Sequence, residues 1–458
     1  MHEFDITADE LVSALLSLAA TETVCILDSC GVGNLGSHLL IAGIEPIEIV
    51  EITNNDPAET LSFLDEKLSD DLVSIFTISY NFGLKLFGLV PRIKPIENSP
   101  EPDVFLARFD VLIIHDYVTG KTRLAGNANK FVAISRKLDD NISNFRSQIS
   151  NLNFEISNAP PRLTSNFSKK AYLEAIGEIK ELIRRGDTYQ TNLTQQLTSI
   201  LPVGLTPEII FVRLRRNHPA PFSAFIKRRY STVVSASPER FFRVRKGENP
   251  TGREGGPGRE ITTSPIKGTQ HRGATIKEDE TLRNQLLTSK KDRAENTMIV
   301  DLLRNDLGRV CEFGSIRVAK LCELETHPTF FHLVSTVTGE LRDDAGISDI
   351  LRAVFPCGSI TGAPKINTMR IIDEIETANR GLSMGAIGYY IPKDTFGMPE
   401  TLDLSVAIRT MVVRGDSATF NVGGGIVIDS DPESEYNETL TKAKALFDAM
   451  GVSSEFKL

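Results

Sequence analysis

Leu402-Asp403-Leu404-Ser405-Val406-Ala407-Ile408-Arg409-Thr410-Met411-Val412-Val413 and Phe420-Asn421-Val422-Gly423-Gly424-Gly425-Ile426-Val427-Ile428-Asp429 decide the fold class. Short aliphatic and β-branched runs, broken by glycine and charge, have the composition of strands and turns. Residues 381–390 read the same way, and 284–303, 365–378 and 433–450 carry helix-forming residues with apolar periodicity. Further back, Ser168 can cap a helix starting near Lys169, where Tyr172, Ile176, Ile179 and Ile183 recur at three- or four-residue intervals until Gly186-Asp187 stops the pattern. Gln190 therefore follows a helix and a turn. Residues 233–237 form a strand that Pro238 ends, leaving Glu239 at its tip. The expected fold is α+β, with large antiparallel sheets and surrounding helices rather than a doubly wound nucleotide fold.

Residues 1–135 alternate short apolar segments such as Thr23-Val24-Cys25-Ile26-Leu27 with turns, which favours strands over long helices. A polar stretch from Asp139 to Ser168, containing Pro160 and Pro161, reads as a connector or irregular surface segment. The net charge of −9 repels nucleic acid and anionic membranes unless a local basic patch overrides it. No apolar run reaches the ~18 to 20 residues that cross a bilayer. Five cysteines without a CxxC pair suit a reducing, cytoplasmic setting with neither a zinc nor an iron–sulfur centre.

Two acidic pairs share one spacing, Asp292 with Glu295 and Glu435 with Glu438. At roughly 100° per residue, each pair lies on neighbouring parts of one helix face. Were the faces to converge, they would form an oxygen-rich receptor for a hard divalent cation such as Mg2+; otherwise they are solvated pairs offset by nearby lysines and arginines. Asp306 suits either a ligand or ionic support. Lys267 stands alone among turn formers in Pro265-Ile266-Lys267-Gly268-Thr269, free to act as a nucleophile, an anion clamp or an ordinary loop lysine.

Together, Gly186-Asp187-Thr188-Tyr189-Gln190-Thr191-Asn192-Leu193, Ser235-Ala236-Ser237-Pro238-Glu239-Arg240, Pro265-Ile266-Lys267-Gly268-Thr269 and Phe355-Pro356-Cys357-Gly358-Ser359-Ile360-Thr361-Gly362-Ala363-Pro364-Lys365 resemble the chorismate-utilising enzyme family. The nearest branch is aminodeoxychorismate synthase component I. The resemblance is strong over about residues 165–450 and implies an anthranilate synthase component I-like fold. In it, residues 165–458 form the chorismate-binding catalytic region and residues 1–150 join the same core.

The resemblance makes Glu295 and Glu438 direct contacts to Mg2+, with Asp292 and Glu435 as water-mediated outer partners. It assigns Lys267 to attack at C2 of chorismate, Glu239 to protonate the departing C4 hydroxyl, and His332 to support the reacting substrate. Gln190, Thr361, Tyr389, Arg409, Gly424, Gly425 and Lys442 are the implied substrate contacts. Gln190 can orient a ligand by hydrogen bonding but cannot serve as the water-activating base that a lysine supplies in the isochorismate branch. The implied product is 4-amino-4-deoxychorismate, feeding p-aminobenzoate and folate synthesis. No cysteine–histidine–glutamate glutaminase set is evident, so ammonia is expected from a separate glutaminase subunit in a heterodimer. Anthranilate synthase component I and a non-catalytic chorismate-binding partner are the alternatives. The segments around Cys25 and residues 75–83 only loosely resemble those surrounding a tryptophan pocket in the family, and a structural apolar core is the expectation there.

Overall fold

A computed structural model describes residues 2–33, 38–53, 56–93, 101–142, 161–246, 258–326, 330–393 and 396–452. Most of the expected connector, including Pro160, lies outside the described residues.

Two antiparallel sheets form the middle of the molecule. The first runs His2–Phe4, Lys121–Gly126, Val111–Asp116, Leu39–Ile44, Val24–Asp28, Phe222–Lys227, Thr232–Ser237, Thr410–Arg414, Ser417–Ile426, Gln190–Ile200 and Gly362–Ala363, with Arg162–Ser165 added on Gln190–Ile200. The second runs Ile266–His271, Phe330–Glu340, Arg259–Thr263, Arg240–Lys246, Thr401–Val406, Ala386–Ile391, Val73–Ile78, Val104–Phe109 and Glu48–Ile52, with Arg317–Thr326 beside Phe330–Glu340. Both sheets therefore mix strands from the amino-terminal third with strands from the rest of the chain.

The layering follows from which faces are apolar. Cys25, Ile226 and Val412 of the first sheet meet Ile75, Phe105 and Ile387 of the second, so the sheets bury one face against each other. The outer face of the first sheet is covered by Ala8–Leu18, Pro207–Asn217 and Pro432–Met450. That of the second is covered by Pro57–Lys67, Tyr80–Leu86, Ile347–Val354 and parts of Lys290–Leu307 and Lys365–Ile375. Among the described residues no helix is long and apolar enough to cross a membrane.

Local signals explain most element boundaries. Ser168 caps Lys169–Arg184 through Ala171 N–H at 3.2 Å, and Gly186 turns the chain at φ +82°. The amino-terminal third is strand-rich, as its apolar alternation suggests, and carries short helices as well. Leu11, Leu15 and Leu18 line one buried stripe of Ala8–Leu18, and a reciprocal capping box joins Thr7 and Glu10 at its start. The helix expected over 284–303 is two helices, Ile276–Thr288 and Lys290–Leu307, because Ser289 breaks the first and caps the second through Asp292 N–H.

At two places the chain passes from one sheet to the other, and the two passages are neighbours. Thr232–Ser237 belongs to the first sheet and Arg240–Lys246 to the second, with Pro238-Glu239 between them. Thr401–Val406 and Thr410–Arg414 make the reverse passage through Ala407-Ile408-Arg409. The strands stay partnered on both sides, Ser235 opposite Thr410 and Arg240 opposite Ser405. Val406 N–H donates to Glu239 O at 3.0 Å and Ala236 N–H to Arg409 O at 3.1 Å.

A buried ion pair locks the adjoining wall. Arg380 donates to both carboxylate oxygens of Glu376, and to the carbonyls of Ile360 at 2.9 Å and Asn192 at 2.6 Å. Glu376 Oε1 also accepts Thr194 N–H at 2.7 Å. Truncating one partner strands the other charge in the interior. Arg380→Met is expected to lose about 3 to 5 kcal/mol of stability, read as a lowered midpoint in urea unfolding; a midpoint within error of the unmodified protein would show that the pair does not hold the wall.

Candidate active site

The motifs separated in sequence meet where the two passages lie. Glu239, at the first passage, is 4 % exposed and accepts the Ser359 hydroxyl at Oε1, 2.8 Å away. Its neighbour Arg240 points elsewhere and pairs with Asp403 at 2.9 and 3.0 Å, so an Arg240–Glu239 bridge is not what holds the acid. Burial raises the Glu239 pKa, opposed by the Ser359 hydrogen bond and the Lys267 charge.

Lys267 reaches the site through a bulge. Ile266 pairs with Val334 and Thr269 with His332, so three steps on one strand face two on the other. Gly268 absorbs the extra residue at φ +83°, and a β-carbon there would stand 2.9 Å from Asp292 Cβ, so only glycine lets this turn sit against Lys290–Leu307. The bulge aims Lys267 Nζ at the carbonyl of Ser359, 3.4 Å away. Burial lowers its pKa, with Glu295 as the strongest opposing charge.

Gln190 begins the strand that pairs with Ser417–Ile426 and is wholly buried, yet neither its Oε1 nor its Nε2 has a hydrogen-bond partner. The three glycines lie within that strand ladder rather than at a turn, with Gly424 opposite Leu193 and Gly425 opposite Asn192. A side chain at Gly425 would come within 2.5 Å of Gln190 Nε2 and 3.4 Å of Lys267 Nζ. One at Gly424 would meet Glu435 Oε2 at 3.2 Å, Lys442 Nζ at 3.7 Å and Glu438 Oε1 at 3.8 Å. The bare backbone is what lets both groups of side chains approach.

The two acidic pairs converge. Lys291 Nζ lies 3.3 Å from Glu435 Oε1 and 3.9 Å from Glu295 Oε1, bridging the starts of Lys290–Leu307 and Pro432–Met450. Glu435 is buried and accepts the Ser430 hydroxyl at 2.7 Å, while Glu438 is half exposed and paired with Lys442 at 2.7 Å. Burial raises the Glu295 pKa, with Asp292 and Glu435 adding to the rise and Lys267 and Lys291 opposing it. Among the described residues no three His, Cys, Asp or Glu side chains are gathered closely enough to hold a metal ion, and ammonium groups stand among the carboxylates. The donor type nevertheless suits a hard cation: carboxylates come from two helix starts, with Glu295 and Glu435 both near the Lys291 ammonium and Glu438 paired with Lys442.

The remaining expected contacts divide. Thr361 is buried, and its hydroxyl is used within its own turn, donating to Cys357 O at 3.0 Å. Arg409, at φ +49° on the second passage, has its guanidinium 5.7 Å from the Phe330 ring centroid, with no carboxylate partner among the described residues. His332 meets Thr269 Oγ1 through Nδ1 at 2.8 Å, across from the Lys267 bulge. Tyr389 is not brought to this cluster. It lines a cavity of about 570 Å³, counted with its open mouth, together with Asp28, Ser29, His38, Phe222, Arg240, Arg245 and Asp403. Strand alternation sends it there, since Tyr389 pairs with Asp403 on the face that Arg240 also uses. Within the segment expected to be plain core, Asp28 is buried and bonded to Tyr117, Arg215 and the Cys30 N–H. Asp306 pairs with Lys365 at 2.6 Å, as ionic support.

Sequence reasoning passed over Ser359, Lys291 and the Arg380–Glu376 pair. Ser359 lies inside a quoted motif and Lys291 adjoins Asp292, so position alone signalled both. Nothing local in the sequence points to Arg380.

A family model described as chorismate binding enzyme matches residues 25–448. "Anthranilate synthase component 1 3" of Haloarcula marismortui is 44 % identical over 286 residues, covering 62 % of this chain and 53 % of that protein. "Aminodeoxychorismate synthase" of Streptomyces griseus is 38 % identical over 357 residues, covering 76 % and 46 %. The chain thus spans about half the length of these two relatives. The crystal structure of anthranilate synthase component I from Streptococcus pneumoniae TIGR4 superposes with a TM-score of 0.70 at 26 % identity, over 90 % of this chain and 93 % of that one. On the strength of a match across nearly its whole length, the chain belongs to the chorismate binding enzyme family.

Proposed function

We propose that this chain is an aminodeoxychorismate synthase component I, converting chorismate and ammonia to 4-amino-4-deoxychorismate. The observation that carries the reading is Lys267, an amine placed by a glycine bulge beside Gly425 and Ser359 in a pocket that favours its neutral form. Its nitrogen adds to C2 of chorismate as the C4 hydroxyl leaves as water, taking its proton from Glu239. Ammonia then adds at C4, the bond from C2 to Lys267 breaks, and the amine is released. Burial favours both reactive forms, the protonated acid and the neutral amine.

Substrate carboxylates find positive and neutral donors here. Arg409 and Lys442 supply charge, and the unpartnered Gln190 amide offers two N–H groups and an acceptor. Glu295 and Glu438, supported by Asp292 and Glu435, would hold Mg2+, whose charge would bind and orient a chorismate carboxylate. Ammonia would come from a separate glutaminase subunit, as the designation component 1 among the relatives suggests.

The second reading is anthranilate synthase component I. It is favoured by relatives and a solved structure of that name, and because every group above except Lys267 could serve either reaction. Chorismate supplied with Mg2+ and excess ammonia decides between them. The expected product, resolved by liquid chromatography and mass spectrometry, is 4-amino-4-deoxychorismate; anthranilate with released pyruvate would establish the second reading. Lys267→Ala is expected to slow amination about 100-fold, with the residual rate rising with ammonia because direct attack at C4 stays open.

The pH dependence follows from the two shifts. The reactive state needs Glu239 protonated and Lys267 unprotonated; burial moves the first pKa up and the second down, so their titrations approach each other. The rate should pass through a maximum near neutrality and fall on both sides. Glu239→Gln should lower kcat by ~100 to 10,000-fold and remove one limb of the profile. An unchanged two-limbed profile would assign the acid to another group.

A further inference from the structure

The acid of the proposed reaction has a built support that no motif assignment covers. Ser359 lies in the turn Gly358–Ile360 and is 4 % exposed. Its hydroxyl donates to Glu239 Oε1 at 2.8 Å. A hydroxyl has one proton to give, so toward Cys357 Sγ, 3.2 Å away, the same oxygen accepts. The carbonyl of the same residue faces Lys267 Nζ at 3.4 Å. One residue thus touches both groups that must exchange bonds with the substrate.

The turn is held from several sides. A β-carbon at Gly358 would stand 2.5 Å from Leu302 Cδ2, so the backbone lies directly on the helix Lys290–Leu307. Arg380 Nη1 donates to Ile360 O at 2.9 Å, and the Thr361 hydroxyl donates to Cys357 O at 3.0 Å. Ser359 therefore has little freedom to follow Glu239 or Lys267; they must conform to it.

We propose that Ser359 is a positioning residue for the amination, its hydroxyl fixing the Glu239 carboxyl and its carbonyl fixing the Lys267 amine in one frame. The inference rests on the reading of Glu239 as the acid. The hydroxyl bonds more strongly to the ionised carboxylate than to the neutral acid, so it stabilises Glu239 after the proton has gone to the leaving hydroxyl. Burial acts the other way, while the Ile266 N–H and the charges of Lys267 and Lys442 act with Ser359. Without the hydroxyl the carboxyl gives up its proton less readily and is no longer oriented.

The test follows Glu239 itself. Protein carrying 13C-carboxylate glutamate is titrated by infrared difference spectroscopy, with Glu239→Gln as the subtraction reference, and kcat and KM for chorismate are measured in parallel. Ser359→Ala is expected to raise the Glu239 midpoint by on the order of one pH unit and to lower kcat ~10 to 100-fold with KM changed less than about threefold. Cys357→Ala, which leaves the Ser359 hydroxyl in place, should shift the midpoint by less than about half as much. A Ser359→Ala midpoint equal to that of the unmodified protein overturns the proposal, as does a loss confined to KM or a Cys357→Ala shift as large as that of Ser359→Ala. An unmodified protein that turns over no chorismate would overturn the functional reading instead, and the midpoint would still decide the link between Ser359 and Glu239.

Discussion

Everything in the site depends on two adjacent strands leaving one sheet and entering the other side by side. A strand that changes sheets must break its ladder, and a lone break leaves unpaired backbone groups in the core. Here the two breaks satisfy each other: Glu239 O takes Val406 N–H, Arg409 O takes Ala236 N–H, and the Ser237 hydroxyl donates to Val406 O at 2.6 Å. The breaks also release two side chains from the in-and-out alternation that continuous strands would have imposed. Glu239 and Arg409 stand at these corners, their backbones held by the bonds between the two passages. Replacing either passage with continuous strand would rebuild the ladder and remove the corner.

Around this frame the charges are arranged in unequal pairs. Arg380 with Glu376 and Arg240 with Asp403 are two-pronged, buried and closed, and both hold walls. Elsewhere the geometry loosens: Lys442 meets Glu438, and Lys291 meets Glu435, through one ammonium contact each from half-exposed lysines rather than a two-pronged pair. A closed buried pair is costly to open, whereas a solvent-facing contact such as Lys442 with Glu438 is worth about 1 kcal/mol or less and exchanges readily. Rigid and exchangeable pairs thus occupy different parts of the structure, with Arg380 also holding the turn through Ile360 O.

Local rules made several elements legible. Ser168 and Gly186 bound their helix as expected, and the i, i+3 acidic pairs fell on helix starts that face each other. The alternation of 402–413 gave strand but could not tell that Ala407-Ile408-Arg409 divides it between two sheets, since that depends on the partner passage about 170 residues earlier. Tyr389 shows the same limit. The residue type suits a carboxylate contact, but the face it occupies is set by register against Asp403, which no single sequence displays. Ser289 is the opposite case: a serine in a helical pattern is tolerated often enough that its role as a cap emerges only when Asp292 N–H is seen to need a partner.

Lys267 is best judged against a buried lysine of the same chain. Lys365 shows what structure asks of one: its ammonium lies 2.6 Å from Asp306 and 2.8 Å from Val354 O, and it is enclosed. Lys267 has no carboxylate at ion-pair distance among the described residues, only a carbonyl at 3.4 Å and the bare backbone of Gly425. Beside it the Gln190 amide is buried with both ends unused. That unpartnered amide is a cost that a purely structural site would have removed, about 1 to 3 kcal/mol for a buried polar group. A ligand that hydrogen-bonds the amide removes that cost when it binds, beside the amine that the bulge at Gly268 aims at Ser359 O.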